Sequence, residues 1–477
     1  MPAFARAMQV VTPWGRGLQI VILQTEEGSV FYSFPDDFDW CAGTSAPQIE
    51  GAWNEDGKGE SIWDRFCRTP GKIMNGHTLD VACDHYHRYR DDIALMGQLG
   101  LRSYRFSIAW PRIFPEGKGR LNQAGVDFYS RLVDELLSRG INPKATLYHW
   151  DLPQKLEEAG GWPNRDTAKY FGDYAEAIAR KLGDRVKFWM TINEPSIVMF
   201  MGYMTGEFAP GIKNRLTALK VAHHLLLAHG YGMQALRQTV PDAKAGIVWH
   251  LLQVERLSDT LRARAGEWFW WNLGARWFIE PVLLGSYPKA ARLLYRTILP
   301  VIRDGDMKLI SQPMDMACVN YYMRQLIGSD GHWLEHERLP GSEYTSMGWE
   351  ISPGGLLSLL LRLKQLYPAM PTIYLTEIGA AFEETLENGQ VNDWKRIQYL
   401  GDHLVSCFTA IARGVKLGGL SIWTLFNNFE WPKGYTQPFG LIYVDWATQQ
   451  RVIKASGHWY SQVIAQNGFE WPLQGAA

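Results

Sequence analysis

The stretch TIYLTEIGAAF, Thr372 to Phe382, reads as a buried β-strand that delivers a single carboxylate, Glu377, just where its apolar run ends. An apolar residue, Ile378, follows it. A carboxylate in such surroundings needs a partner, and that partner has to come from another part of the chain.

Seven further runs of the same character occur: DFDWCAGTSA, LRSYRFSIAW, NPKATLYHW, VKFWMTINEP, KAGIVWHLL, MDMACVNYY and GGLSIWTLF. Their centres lie about 40 to 70 residues apart, room for a helix and a loop between parallel strands. Between them, DHYHRYRDDIALMGQLG sets Tyr89, Ile93, Met96 and Leu99 on one helical stripe and stops at Gly100. In the same way NQAGVDFYSRLVDELLSRG sets Val126, Tyr129, Leu132, Leu136 and Leu137 together and stops at Gly140. Eight strand-plus-helix units predict an α/β fold, a single (β/α)8 TIM barrel. The competing doubly wound sheet would need a glycine-rich phosphate turn, and neither G-x-G-x-x-G nor G-x-x-x-x-G-K-[ST] is present. With no linker or charge block, residues 31–477 read as one domain, and 325–355 as a long barrel loop. Residues 1–30 read as an extension of unknown role.

Composition narrows the function classes. Lys plus Arg number 48 against 49 Asp plus Glu, so no global field draws the chain to nucleic acid or to an anionic membrane. No apolar run approaches the roughly 18 residues that span a bilayer. The five cysteines are far apart and contain no C-x-x-C, which fits a reducing compartment, the cytoplasm. The apolar LQIVIL near the start is shorter than a signal h-region, and no A-x-A site follows it. The sequence leaves the oligomeric state open.

In a barrel enzyme the site lies at the C-terminal ends of the strands. Polar and aromatic residues collect there: Gln48 after the first strand, Arg105 and Trp110 on the second, His149 and Trp150 on the third, and Asn193 and Glu194 on the fourth. Asn320 and Tyr322 follow on the sixth, Glu377 on the seventh, and Trp423, Glu430 and Trp431 on the eighth. The fifth ends near His250, whose contribution is less defined. Two carboxylates facing one cavity, Glu194 and Glu377, are costly unless used. Gln, His, Asn and Glu can bind ring hydroxyls while Trp stacks on a sugar face, and Arg105 can hold a strand-seven carboxylate ionised. Metal chemistry is the competitor, but the histidines of VAHHLLLAHG (His223, His224, His229) and CDHYHRY (His85, His87) lack the H-E-x-x-H spacing. They read as a solvated or capping helix face, and no metal or organic cofactor is expected. No G-x-S-x-G nucleophile elbow is present either.

From about Phe34 to about Ile464 the chain resembles the family 1 glycoside hydrolases, the β-glucosidase and β-galactosidase family. The resemblance rests on QIEGAWNEDGKGESIWD, LDVACDHYHRYRDDIALM, YRFSIAWPRIFPEG, YHWDLPQKLE, TINEPSI, APG, NYY, YLTE, NNFEW and FGLIYVD, taken in order. It implies that Glu194 is the general acid/base and Glu377 the nucleophile. It also implies a site for the terminal sugar formed by Gln48, His149, Asn193, Trp423 and Glu430, with Trp431 beside them; Asn320, at the end of the sixth strand, is expected to bind substrate as well. Arg105 and Tyr322 resemble the residues that contact the nucleophile, Trp150 orders the strand-three end, and Trp349 resembles a wall of the leaving-group side.

The expected partner is a β-linked glucoside or oligosaccharide, cleaved with retention through a covalent glycosyl-enzyme. Because Glu430 would repel a phosphate, the sugar is expected to be unphosphorylated. A non-catalytic sugar-binding barrel and a mainly transglycosylating enzyme are the alternatives; the intact Glu194 and Glu377 favour a hydrolase. Three positions depart from the family pattern: Ile378 for the Asn of T-E-N-G, Asn427 for an Asp, and Phe208 for a His. Ile378 is expected to remove a polar group beside the nucleophile, so that Ile378→Asn raises the rate. The other two are expected to alter loop hydrogen bonds around the cleft.

Overall fold

The computed structural model describes residues 4–11, 19–25, 29–289, 301–334 and 337–472. Each of the eight runs contains one strand of a closed barrel, because a strand apolar on both faces is buried only between a filled barrel interior and a helix layer. In chain order the strands are β1 (Phe4–Val11), β2 (Gln19–Thr25), β3 (Val30–Ser33), β4 (Asp39–Gly43), β5 (Ser103–Ser107), β6 (Asn142–Tyr148), β7 (Phe188–Asn193) and β8 (Lys244–His250). They continue with β9 (Gln253–Arg256), β10 (Met316–Tyr321), β11 (Arg324–Ile327), β12 (Thr372–Ile378), β13 (Leu417–Trp423), β14 (Ile442–Val444), β15 (Arg451–Ile453) and β16 (Gly468–Trp471). Strands β4, β5, β6, β7, β8, β10, β12 and β13 pair in that order, all parallel, and β13 closes on β4. The barrel is the predicted one.

The two helices read from periodicity span His85–Gln98 and Gln123–Ser138. Tyr89, Ile93, Met96, Val126, Tyr129, Leu132 and Leu136 are buried as expected, but Leu137 is exposed. Leu132 and Leu136 already occupy the inward stripe, and the next residue lies about 100° around the helix. The reading of VAHHLLLAHG as a solvated face is also corrected. His223, His224 and His229 are buried on the helix Arg215–Thr239, bonded to Tyr287 and Asp306, to the Trp162 carbonyl, and to Thr191.

Ten of the tryptophans show two distinct uses. Trp40, Trp63, Trp110, Trp162, Trp189 and Trp249 are fully buried core, whereas Trp150, Trp349, Trp423 and Trp431 gather at the C-terminal end of the barrel. The loops after β8 and β10 carry β9 and β11, which pair in parallel, so the 325–355 insertion is a barrel loop. Of the expected extension, residues 4–11 and 19–25 are described: β1 and β2 pair antiparallel and join β3 and β16 in a four-stranded sheet. Its remaining residues up to 28 lie outside the described residues, as do 335–336 within the loop.

Candidate active site

Glu377 owes its position to a bulge. Val319 of β10 pairs with Leu375 of β12 and Asn320 with Glu377, leaving Thr376 as an extra residue. Such a bulge re-aims the side chains beside it. Immediately afterwards β12 runs so close to β13 that a Cβ on Gly379 would lie 1.7 Å from the Trp423 carbonyl oxygen, so only glycine fits there.

The Glu377 carboxylate is held at both oxygens. Arg105 Nη1 donates to Oε1 at 2.6 Å and the Tyr322 hydroxyl to Oε2 at 2.5 Å. Arg105 also donates from Nη2 to Asn193 Oδ1 at 2.7 Å and from Nε to Thr146 Oγ1 at 3.2 Å. With its oxygen committed to Arg105, Asn193 must donate from Nδ2 to His149 Nε2, 3.2 Å away. That leaves the proton of a neutral His149 on Nδ1, which has no partner within the protein. Burial and the nearby Arg105 hold His149 well below the ordinary histidine range, so the ring is a neutral donor facing the cavity.

Glu194 follows directly on β7 in the left-handed region, φ 50 and ψ 64, and is 4% exposed. A non-glycine residue in that region costs of the order of 1 kcal/mol, and Trp150 (φ 79) and Trp431 (φ 48) share the feature. Asn320 accepts from Thr376 Oγ1 at 2.7 Å, which turns its Nδ2 toward Glu194 Oε1, also 2.7 Å away. Burial lifts the Glu377 carboxyl to about 7, with Arg105 and Tyr322 pulling it down and Glu194 pushing it up.

The rest of the predicted set surrounds this pair. Gln48 accepts from Ser45 and donates to the Phe429 carbonyl, which places it beside Glu430. Glu430 Oε2 has no partner within the protein, and burial together with Glu377 and Glu194 raises its carboxyl to about 8. Trp423 stacks on His149 at 5.5 Å between centroids, and Trp431 packs against both His149 and Trp150. Trp150 donates to the Asn193 carbonyl and so ties the end of β6 to β7. Trp349 lies against Tyr322 at 5.2 Å. Eleven of the thirteen predicted residues are linked to one another by hydrogen bonds or ring contacts, and Gln48 and Glu430 adjoin them through Phe429 and Trp431.

Two of the three departures from pattern bond or pack outside this cluster, and the third, Phe208, packs on its tryptophans. Ile378 is 2% exposed in the main hydrophobic core, paired across the sheet with Tyr321 and Ile422, so it takes up no polar position facing the nucleophile. Asn427 bonds Glu384, Lys454 and the Gly440 amide. Phe208 packs on Trp63, Trp150 and Trp431. Sequence reasoning missed Thr146 and Thr376, whose hydroxyls face Arg105 and Asn320, and left His250 unassigned. His250 closes a barrel strand like the others, which was the available signal.

The sequence profile described as Glycosyl hydrolase family 1 matches residues 31–469. The chain is 49% identical to beta-glucosidase A of Acetivibrio thermocellus over 449 residues, covering 92% of this chain and 99% of that one. It is 41% identical to a bifunctional beta-D-glucosidase/beta-D-fucosidase of Bifidobacterium breve, covering 91% and 98%. Among solved structures, the family 1 β-glucosidase from Thermotoga maritima superposes with a TM-score of 0.88 at 42% identity, over 92% of this chain and 99% of that one. The same enzyme in complex with glucoimidazole also gives 0.88 at 42%, covering 92% and 100%.

Proposed function

The chain belongs to glycosyl hydrolase family 1, and on that premise we propose that it is a retaining, exo-acting β-glycosidase. Its substrates are terminal unphosphorylated β-D-glucosides, with β-galactosides or β-fucosides also accepted. The observation that carries this reading is the unequal treatment of two buried carboxyls at one end of the barrel. Glu377 has both oxygens taken by donors, Arg105 and Tyr322, and such donors favour the carboxylate, a nucleophile. Glu194 has one oxygen taken by Asn320, which leaves the other to carry a proton.

In the first step Glu377 attacks the anomeric carbon, the glycosidic bond breaks, and Glu194 gives its proton to the leaving oxygen. In the second, Glu194 takes a proton from water, whose oxygen displaces Glu377 and releases the sugar with its configuration retained. The geometry this needs is a carboxyl separation of about 5 to 5.5 Å, against roughly 6.5 to 9.5 Å for inversion.

His149, Gln48, Asn193, Asn320 and Glu430 present hydrogen-bonding groups to the sugar, Trp423 and Trp431 supply its apolar faces, and Trp349 borders the leaving group. The Glu430 carboxyl, whose Oε2 has no partner within the protein, suits a pair of neighbouring hydroxyls, and an acid at this position disfavours a phosphate. Residues 31–477 form the catalytic domain, with 1–30 an extension to it. Five buried free thiols fit a reducing compartment such as the cytoplasm. Among the described residues no helix is long and apolar enough to cross a membrane.

The test is proton NMR during hydrolysis of an aryl β-glucoside. The β-anomer is expected as the first product, and the α-anomer appearing first would refute the double displacement.

A further inference from the structure

His250, the last residue of β8, has no role in the steps above, yet it lies beside Glu194 and against Tyr322. Its Nδ1 is 3.3 Å from Glu194 Oε1, and its ring stacks on Tyr322, the donor to Glu377, at 6.1 Å and 28°. The Nδ1 atom is buried and makes no hydrogen bond within the protein: the separation is that of a bond, but the alignment is not. Catalytic hydrogen bonds that are loose in the free enzyme tighten once substrate fills the site, and an orphaned donor beside an acceptor favours that closure.

We propose that His250 is a positioning residue for Glu194, acting jointly with Asn320 on the same oxygen. The Asn320 Nδ2 already donates to Glu194 Oε1 at 2.7 Å, with its orientation set by Thr376. A second donor on Oε1 leaves Oε2 as the protonated oxygen and fixes the direction in which that proton meets the leaving group. Once the proton has gone, both donors remain on a carboxylate and favour it as the base for water. His250 acts here as a hydrogen-bond donor through Nδ1–H.

The proposal rests on the assignment of Glu194 as acid/base, and the experiment separates the two. His250→Phe keeps a ring against Tyr322 but removes the donor, while His250→Asn returns an amide donor close to where Nδ1 stood. Both are compared with the parent on cellobiose, whose leaving sugar must be protonated, and on a dinitrophenyl β-glucoside, whose leaving group needs no proton. His250→Phe is expected to lower kcat/KM on cellobiose about tenfold more than on the dinitrophenyl substrate, and His250→Asn to recover most of that difference. Equal losses on both substrates, or no loss on either, would overturn the positioning role. Glu194→Ala is run alongside: if it too lacked the leaving-group dependence, the acid/base assignment itself would fail.

Discussion

Arg105 Nη1 lies 2.6 Å from Glu377 Oε1, and both side chains are almost wholly removed from solvent. Burying two charges is favourable only while each keeps its partner; removing one strands the other, at about 3–5 kcal/mol. Arg105 also orients Asn193 and, through it, His149, so its loss reaches three residues of the site. Arg105→Met is expected to lower unfolding stability by about that amount and to abolish turnover, measured by denaturant titration and by release of nitrophenol.

Tyr322→Phe removes the hydroxyl that donates to Glu377 Oε2. A hydrogen bond to a charged group is worth about 1.5–3 kcal/mol, so kcat/KM should fall roughly 10- to 100-fold. The direction of the pH effect follows as well. Burial raises the Glu377 carboxyl while Arg105 and Tyr322 hold it down, and it must be ionised to attack. Without the hydroxyl the acid limb of the kcat/KM profile moves to higher pH, read on a dinitrophenyl glucoside; an unmoved limb would remove Tyr322 from the control of the nucleophile.

Glu430 gives a stability signature of opposite sense to an ion-paired acid. Its folded-state carboxyl is raised from 4.5 to about 8, so the folded protein holds this proton more tightly than the unfolded chain. That contribution is fully present below about 4.5 and is lost as pH rises toward 8. Glu430→Gln cannot ionise. It should match the parent in stability near pH 4 and exceed it, on the order of 1–4 kcal/mol, by pH 8. It should also lose affinity for the sugar, seen as a raised KM.

Ile378→Asn, expected from sequence alone to raise the rate, is now expected to harm the fold. Ile378 is buried in the core between Tyr321 and Ile422, and an amide there loses packing and gains no evident partner. A destabilisation of about 2–4 kcal/mol is expected without any gain in kcat, checked by thermal unfolding and by active-site-normalised kinetics.

Ile378 also shows where sequence reading stopped. The eight strands were legible because barrel strands must be apolar on both faces, and the catalytic pair because Glu194 and Glu377 interrupt such runs at the same end. What adjacency in sequence could not convey was direction. A one-residue bulge at Thr376 sends Glu377 into the cavity, while Ile378 next to it joins the core. The buried histidines of the Arg215–Thr239 helix were misread for a related reason: a helix packed on several sides shows no single polar face, and partners such as Asp306 and Thr191 come from distant parts of the chain.

The assignment of Glu377 as nucleophile is tested most directly by trapping the covalent intermediate. The protein is incubated with a dinitrophenyl β-glucoside carrying fluorine at carbon two, digested, and mapped by mass spectrometry. One fluoroglucosyl group per chain is expected, on the peptide containing TIYLTEIGAAF and localised to Glu377, with no such adduct in Glu377→Gln. An adduct on any other carboxylate, Glu194 and Glu430 included, or inactivation without an adduct, would contradict it.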